Sequence, residues 1–177
     1  GLTVRVLSHF AERTFLGQQV AKRKVGGRIR KRVGNPIRTP PMQDDKDEAR
    51  RRLGLAEATA TLLITGGSQG SRAINRGVEA ALPALRKLHL QVRRQSGSID
   101  DACVAEVVAS WEGRVKAVPF IDEMPLADRA ADLAVTRSGA ITLPELSLYG
   151  VPASLIPLPT ASEGRLEVNA RAMERAG

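Results

Sequence analysis

A glycine-rich segment in the middle of the sequence is the first place where residue types and spacing indicate chemistry. It spans residues 65–71, Thr-Gly-Gly-Ser-Gln-Gly-Ser, between an apolar run and an amphipathic one. Glycines let the backbone turn sharply and approach a ligand closely, and the unpaired N–H groups of a helix start suit a phosphate. Ser68 and Ser71 can cap that helix or donate to a phosphate oxygen. The alternative is a plain glycine-rich turn. The residues of the predicted phosphate loop are Gly66, Gly67, Gln69 and Gly70.

The segment is an incomplete dinucleotide fingerprint. Gly67 and Gly70 match the second half of G-x-G-x-x-G, but Thr65 stands where the first glycine belongs. The next apolar run ends in Arg93-Arg94-Gln95, whereas an NAD site needs an acidic residue there. This pattern disfavours NAD and leaves NADP open through the arginines.

A second loop of the same kind spans residues 137–145, Arg-Ser-Gly-Ala-Ile-Thr-Leu-Pro-Glu. It also joins an apolar run to a helix start. Glu145 is placed to accept hydrogen bonds from both hydroxyls of a ribose, one on each carboxylate oxygen. Thr142 and Glu145 also have the spacing of a capping box, with Pro144 tolerated in the first turn. The residues alone leave these two interpretations open.

Other candidates are weaker. Arg38, after the turn Gly34-Asn-Pro36, can clamp a diphosphate, although the residues alone favour a solvated charge. Ile121 and Met124 can form an apolar wall for a base, or simply pack in the core.

The segment Asp45-Lys46-Asp47 has a spacing that can hold a metal, but acids in a first helical turn match the helix dipole. We therefore predict no metal site.

The two loops need elements that bring them to one side of the molecule. Apolar runs that predict strands lie at Thr61–Thr65, Leu90–Arg94, Val115–Phe120, Asp132–Thr136 and Ala153–Ile156. Runs that predict helices lie at Ser71–Leu88, Asp100–Trp111, Glu123–Ala131, Ala140–Tyr149 and Arg165–Ala176. Alternating strands and helices favour an α/β fold, a parallel sheet with helices on both faces. Right-handed crossovers then place both loops at the carboxyl edge, where ligands bind in such sheets.

The N-terminal part has a different character. Leu2, Val6 and Phe10 recur every four residues, which predicts an amphipathic helix over 2–16. A charged helix is expected over Asp44–Leu53. Between them lies a basic stretch that ends in a turn, and we interpret it as a linker. Its basic residues are Lys22, Arg23, Lys24, Arg28, Arg30, Lys31 and Arg32.

Composition narrows the function classes. Aromatic residues make up only 3% of the chain, so the stacking platforms of a single-strand nucleic-acid binder are missing. The net charge of +8 favours anionic partners. Cys103 is the single cysteine, which predicts a reducing compartment and the packing role of a small apolar residue. No apolar run is long enough to predict a membrane span.

Four motifs in order resemble the MurG family, the UDP-N-acetylglucosamine:lipid I transferases of peptidoglycan synthesis. They are Gly34-Asn-Pro-Ile-Arg38, Gly66-Gly-Ser-Gln-Gly70, Phe120-Ile-Asp122, and Arg137-Ser-Gly-Ala140 with Glu145. The resemblance runs through nearly the whole chain. It implies one half of a GT-B glycosyltransferase, a Rossmann-like donor domain. It also implies an inverting transfer of GlcNAc from UDP-GlcNAc to undecaprenyl-diphosphate-linked muramyl pentapeptide (lipid I to lipid II), without a cofactor or an essential metal.

The resemblance also implies roles for individual positions. Arg38 would meet the diphosphate, Ser68 a donor phosphate or the sugar, and Ile121 the uracil. Glu145 would take the ribose. The segment that would cradle the nucleotide comprises Ala140, Ile141, Thr142, Leu143, Pro144 and Glu145. Two departures stand out, because the family's glutamine-bearing pair before Asn169 is replaced by Arg165 and Leu166, and its His-Gln pair by Arg94 and Gln95. Leu166 cannot hydrogen bond to sugar hydroxyls.

The family's layout implies a domain division and a location. Residues 1–40 would form a helix and interdomain linker, and residues 41–177 a C-terminally incomplete UDP-sugar-binding domain. The acceptor domain, which would meet lipid I and carry the proposed catalytic base, would precede residue 1. The family works in the cytoplasm at the inner face of the bacterial plasma membrane, with an anionic lipid surface as a weak further partner. We expect the 177-residue chain to bind donor without catalysing transfer.

Three alternatives remain open. One is an enzyme similar to UDP-GlcNAc 2-epimerases, which would need more acid and base groups than Glu145 alone. Another is a non-catalytic nucleotide-binding subunit that completes its site with a partner chain. The third is a nucleic-acid binder that uses the basic stretch, although no nucleic-acid partner is expected; strongly salt-dependent affinity would reveal one.

Overall fold

The computed structural model describes residues 2–17, 25–26, 29–37, 45–67, 70–97, 111, 113–156 and 165–175, without the side chains of residues 2 and 165. The chain divides into two compact units, Gly1–Ile37 and Arg38–Gly177. The predicted domain boundary at residues 40 and 41 falls outside the described residues, as does the predicted helix Asp100–Trp111 except for Trp111.

The first unit contains a short helix and a two-stranded parallel sheet. Helix α1 spans Leu2–Leu7, β1 spans Arg13–Leu16, and β2 spans Ile29–Arg32. Arg13 lies opposite Ile29, and Leu16 lies opposite Arg32. The side chain of Ser8 accepts a hydrogen bond from the N–H of Gly26 at 3.0 Å, which connects the end of α1 to the segment before β2.

The prediction of one amphipathic helix over 2–16 is wrong in its second half. The helix ends at Leu7, and the segment Arg13-Thr-Phe-Leu16 is a strand. β-Branched and aromatic side chains favour an extended backbone when a partner strand is available, and β2 supplies that partner. Phe10, the last residue of the predicted apolar stripe, is 85% exposed.

The second unit is an α/β domain. Its strands are β3 (Ala60–Thr65), β4 (Leu90–Gln95), β5 (Val115–Val118), β6 (Leu133–Thr136) and β7 (Ala153–Leu155). Its helices in the described residues are α2 (Lys46–Arg52), α3 (Arg72–Leu85), α4 (Met124–Ala130), α5 (Thr142–Tyr149) and α6 (Arg165–Glu174). The five strands are parallel and lie in the order β5-β4-β3-β6-β7. The predicted fold class is confirmed.

The strand order places a topological switch point at β3. From β3 the chain proceeds to β4 and β5 on one side, and later to β6 and β7 on the other. Loops that leave the carboxyl ends of β3 and β6 therefore diverge and leave a crevice between them. In open parallel sheets this crevice is where ligands bind.

Two apolar clusters pack on the strands. Ile64 of β3 packs with Ile74 and Val78 of α3. Leu63, the intervening residue of β3, packs instead with Ala127 of α4 and Leu146 of α5. Successive strand residues point to opposite faces, so α3 covers one face of the sheet and the pair α4–α5 covers the other.

Asp45 starts α2 as its N-cap, and its Oδ1 accepts a hydrogen bond from the N–H of Glu48 at 2.7 Å. Asp47 in the first turn makes an ion pair with Arg50 at 3.8 Å. The Asp45-Lys46-Asp47 segment is thus a helix start, as the charge pattern predicted. Among the described helices, none combines the length and the apolar character that crossing a membrane requires.

Candidate functional site

The loop after β3 requires glycine at two of its predicted positions. A Cβ at Gly66 would lie 2.5 Å from the backbone N of Ser71. Gly70 has a φ of +74°, and a Cβ there would lie 2.4 Å from the carbonyl O of Ser96. Both positions therefore exclude any side chain. The glycines bring the loop against the start of α3 and against the end of β4.

Ser71 is the N-cap of α3, and its Oγ accepts a hydrogen bond from the N–H of Ile74 at 3.4 Å. The capping role predicted for this serine is therefore confirmed. A hydroxyl that accepts here still has its own proton to donate, so a phosphate contact by Ser71 stays a prediction. Ser68 and Gln69, the other predicted polar residues of this loop, lie outside the described residues.

Gln95 connects this loop to the segment that follows β5. Its Nε2 donates to the carbonyl O of Gly67 at 2.7 Å, and its Oε1 accepts from the N–H of Ile121 at 2.9 Å. The side chain is 1% exposed, so both bonds are shielded from water. Sequence reasoning noted Gln95 at the end of the second apolar run and in a family pair, but gave it no connecting role. A polar residue at the last position of a buried strand was the available signal.

The loop after β6 contacts the loop after β3 through Arg137. Its Nη1 donates to the carbonyl O of Gly66 at 3.4 Å. Ser138, the next residue, is fully buried, and its carbonyl O accepts from Nδ2 of Asn169 at 2.9 Å. Its hydroxyl donates to the carbonyl O of Leu166. The two glycine-bearing loops and α6 thus form one connected structure at the carboxyl edge.

Helix α5 starts at this edge without a capping box. Its N-cap is Ile141, no side chain caps this start, and Thr142 is already the first helical residue. The capping-box interpretation of Thr142 and Glu145 is therefore wrong, because Thr142 lies one position too late to be the N-cap. Glu145 lies in the first turn of α5 and is partly buried.

The residues of the predicted nucleotide-binding segment, 140–145, differ in how exposed they are. Ala140 and Ile141 are exposed, whereas Thr142 and Pro144 are partly buried. Leu143 is buried, so its side chain belongs to the core. Any contact of Leu143 with a ligand would have to come from its backbone.

Of the candidates Ile121 and Arg38, the structure describes only Ile121. The side chain of Ile121 is 3% exposed and packs with Leu63 and Leu146. The structure therefore shows this side chain packed in the core. Core packing was the alternative to an apolar wall for a base. Arg38 lies outside the described residues, and its contact with a diphosphate stays a prediction.

One of the two arginines that kept an NADP site open, Arg94, is buried. The Arg94 side chain is 1% exposed, and its Nη2 lies 3.5 Å from Oε1 of Glu79, an ionic contact without hydrogen-bond geometry. Arg93 is half-buried, and burial lowers the pKa of its guanidinium. The buried guanidinium of Arg94 cannot reach a 2′-phosphate, so an NADP site would depend on the half-buried Arg93 alone.

Acids on α4 and α5 interact electrostatically with each other. Asp128 of α4 is buried, and its pKa is raised from an ordinary value of 3.8 to about 7, first by burial and then by the charge of Glu145. Burial and the charges of Asp128 and Glu145 also raise the pKa of Tyr149. In the part of the chain that the structure describes, no three His, Cys, Asp or Glu residues come together as a metal site.

The chain is similar in sequence to known proteins. Residues 61–177 match the family model of the glycosyltransferase family 28 C-terminal domain. The UDP-N-acetylglucosamine–N-acetylmuramyl-(pentapeptide) pyrophosphoryl-undecaprenol N-acetylglucosamine transferase of Salinibacter ruber is 39% identical over 178 residues, covering 100% of this chain and 48% of that protein. The protein of the same name from Halorhodospira halophila is 38% identical over 179 residues, covering 100% and 48%.

A solved structure is similar as well. The crystal structure of Acinetobacter baumannii MurG gives a TM-score of 0.61 at 29% sequence identity, covering 82% of this chain and 41% of that one. The chain spans about half the length of the curated relatives it matches. The matched family region, residues 61–177, includes both glycine-bearing loops and Glu145.

Proposed function

The chain belongs to the glycosyltransferase family 28 C-terminal domain family, and we propose that it is the donor-binding part of an inverting glycosyltransferase. The donor is UDP-GlcNAc, and the acceptor is undecaprenyl-diphosphate-linked muramyl pentapeptide, as the relatives' names suggest. The sugar passes from lipid I to lipid II in peptidoglycan synthesis, at the inner face of the bacterial plasma membrane.

One observation carries the proposal: two glycine-bearing loops meet at the topological switch point of a parallel sheet, joined by the hydrogen bond from Arg137 to Gly66. The first loop lies at the start of α3, a helix of 14 residues. Unpaired N–H groups and the positive end of the dipole at such a start favour a diphosphate. The second loop leads into the first turn of α5, where Glu145 accepts from the ribose hydroxyls.

The roles of the remaining residues are assigned from the resemblance of their motifs to the family. The diphosphate lies against Gly66, Gly67 and Gly70, with Ser68, Gln69 and Arg38 as further contacts. The uracil lies near Ile121, whose backbone is held by Gln95. The nucleotide lies along the segment 140–145. The base that activates the acceptor hydroxyl is assigned to the half of the relatives that this chain does not match.

Calorimetric titration of the chain with UDP, UDP-GlcNAc and NADPH tests the proposal. We expect UDP and UDP-GlcNAc to bind and NADPH not to bind. In Glu145→Gln the affinity for UDP should fall by about 10- to 100-fold, because the amide has one accepting oxygen instead of two and no charge, and charge-assisted hydrogen bonds contribute about 1.5–3 kcal/mol.

A matched control is Glu57→Gln. Glu57 is exposed and precedes β3, so it lies toward the opposite edge of the sheet. This variant should bind UDP as the unmodified chain does. Binding of NADPH in place of UDP, or equal weakening in both variants, would contradict the assignment. Equal affinity for UDP and UDP-GlcNAc would show that the sugar itself is not recognised by this half, as Leu166 in place of a polar residue suggests.

A further inference from the structure

A buried carboxyl group lies on α4, the helix that packs beside α5. Asp128 is 2% exposed, and among the described residues its Oδ2 has no hydrogen-bond partner. The preceding residue, Ala127, packs in the apolar cluster that contains Leu146 of α5. An ionised carboxylate in such surroundings is costly unless it is paired, and none of the described basic residues forms an ion pair with Asp128.

Helix α5 presents two ionisable groups to this carboxyl group. Glu145 and Tyr149 are four residues apart, so they lie on one face of α5. The Tyr149 hydroxyl is buried and, within the described ranges, also lacks a hydrogen-bond partner. The charge of Asp128 acts on Tyr149, and that of Glu145 acts on both. The three side chains therefore form one electrostatic cluster between α4 and α5.

The described residues of the other elements that pack on α4 supply no compensating charge to Asp128. From α2, Arg50 pairs with Asp132, and Arg52 pairs with Glu123. β3 carries no ionisable side chain. On α4 itself, Arg129 acts on Tyr149. Within the described ranges, Glu145, a like charge, is the one neighbour whose charge acts on Asp128, and burial together with this charge raises the pKa of Asp128 to about 7.

We propose that Asp128 is a positioning residue of the donor site, and that the nucleotide binds preferentially when Asp128 is protonated. The inference rests on the proposed function, since it requires Glu145 to accept from the ribose. A neutral Asp128 leaves Glu145 ionised without a like charge behind it. An ionised Asp128 repels the carboxylate of Glu145, which itself lies at the site that must also hold a diphosphate. Near neutral pH, donor binding therefore takes up a proton from solvent onto Asp128.

The test is calorimetric titration of the whole chain with UDP-GlcNAc at about pH 6, 7 and 8. UDP-GlcNAc is the probe because its diphosphate is esterified at both ends and lacks the terminal phosphate ionisation near pH ~6. The affinity of the unmodified chain should fall by up to about tenfold from pH 6 to pH 8, the limit for one linked proton in this range. Titrations in two buffers of different ionisation enthalpy should show proton uptake at pH ~7.

Asp128→Asn is the decisive variant, because the amide has the same shape and no charge. It should bind UDP-GlcNAc at every pH about as tightly as the unmodified chain does at pH ~6. Glu57→Gln removes one negative charge toward the opposite edge and should keep the original pH dependence. Should the Asp128 variant not fold, proton uptake by the unmodified chain decides the question.

The outcomes separate the two proposals. Failure of UDP-GlcNAc to bind at any pH overturns the proposed function and this inference with it. Binding with no pH dependence, without proton uptake, or with the same pH dependence in Asp128→Asn overturns the inference alone.

Discussion

At the residue scale, Asp128 has a consequence for stability that is independent of any ligand. Its pKa is raised from 3.8 to about 7 in the folded chain. The stability that its protonation contributes is therefore fully present below pH 3.8 and is lost as the pH rises through about 7. At higher pH the fold must bury a carboxylate with which none of the described basic residues is paired.

We therefore expect Asp128→Asn to stabilise the chain at alkaline pH. The pKa difference corresponds to an upper limit of about 4 kcal/mol, and relaxation around the carboxylate reduces this to about 1–3 kcal/mol at pH ~8. The gain should shrink as the pH falls toward ~4. Urea unfolding of both chains at several pH values measures it. A variant that is less stable than the unmodified chain at every pH would contradict the prediction.

Also at the residue scale, Gly70 is expected to tolerate no side chain. Gly70→Ala combines a strained positive φ with a Cβ 2.4 Å from the carbonyl O of Ser96. Gly54 is a matched control, since its φ is +66° and a Cβ there meets nothing within 4 Å. We expect Gly54→Ala to cost about 1 kcal/mol in unfolding free energy and Gly70→Ala clearly more, about 2–4 kcal/mol. Only Gly70→Ala should lose UDP binding, and equal effects of the two would contradict a packed phosphate loop.

At the element scale, α2 is held to the sheet by a buried arginine. Arg50 donates to the carbonyl O of Glu57 and of Ala130 and pairs with Oδ2 of Asp132. Asp132 also accepts from Lys46 Nζ at 2.8 Å and from the N–H of Thr61 at 2.7 Å. One carboxylate just before β6 thus connects α2, β3 and β6.

Asp132→Ala should therefore destabilise the domain by about 2–4 kcal/mol, because it removes the carboxylate in closest contact with a buried guanidinium. Glu167→Ala, which removes an exposed ion pair with Arg171 in α6, should cost less than about 0.5 kcal/mol. Chemical unfolding of both variants makes the comparison. Similar losses would mean that the Arg50 pair contributes no more than a surface pair.

The Asp132 carboxylate also determines how the stability of the domain responds to acid. Burial raises the pKa of Asp132, but the hydrogen bonds from Lys46 and Thr61 and the charge of Arg50 outweigh it, so the pKa lies below 3.8. The stability contributed by Asp132 is present above pH 3.8 and is lost as the pH falls through the lowered pKa. Asp128 and Asp132, four residues apart, thus respond to pH with opposite signs.

At the scale of the whole molecule, the first unit leaves many large apolar side chains in solvent. These are Val4, Val6, Leu7, Phe10, Phe15, Ile29 and Val33. A two-stranded sheet with one short helix offers little core of its own. The predicted interdomain role of residues 1–40 stays a prediction.

A prediction for the whole chain concerns its catalytic turnover of lipid I. We expect the 177-residue chain to bind UDP-GlcNAc without forming lipid II from lipid I, because the base for the acceptor hydroxyl is assigned to the unmatched half of the relatives. Conversion of radiolabelled UDP-GlcNAc to lipid product measures this. Product formed by the purified chain, and absent with Glu145→Gln, would show that the acceptor machinery is in this half.

The sequence by itself determined the parallel sheet, the two glycine-bearing loops and their placement at one edge. Apolar runs and amphipathic runs are local patterns, and a strand-to-helix turn marks its own glycines, so these features need no knowledge of distant contacts. The resemblance to the MurG family, which the motifs indicated in order, is confirmed by the family match and by the relatives.

Local pattern was insufficient where a partner decided the structure. Arg13–Leu16 is a strand because β2 lies beside it, and the basic residues of β2 give no strand signal of their own. Only the tertiary structure decided that Gln95 joins Gly67 to Ile121, that Arg137 reaches Gly66, and that Asp128 is buried near Glu145. Each depends on packing between segments far apart in the chain, and burial, which sets the pKa of a carboxyl group, is a property of that packing.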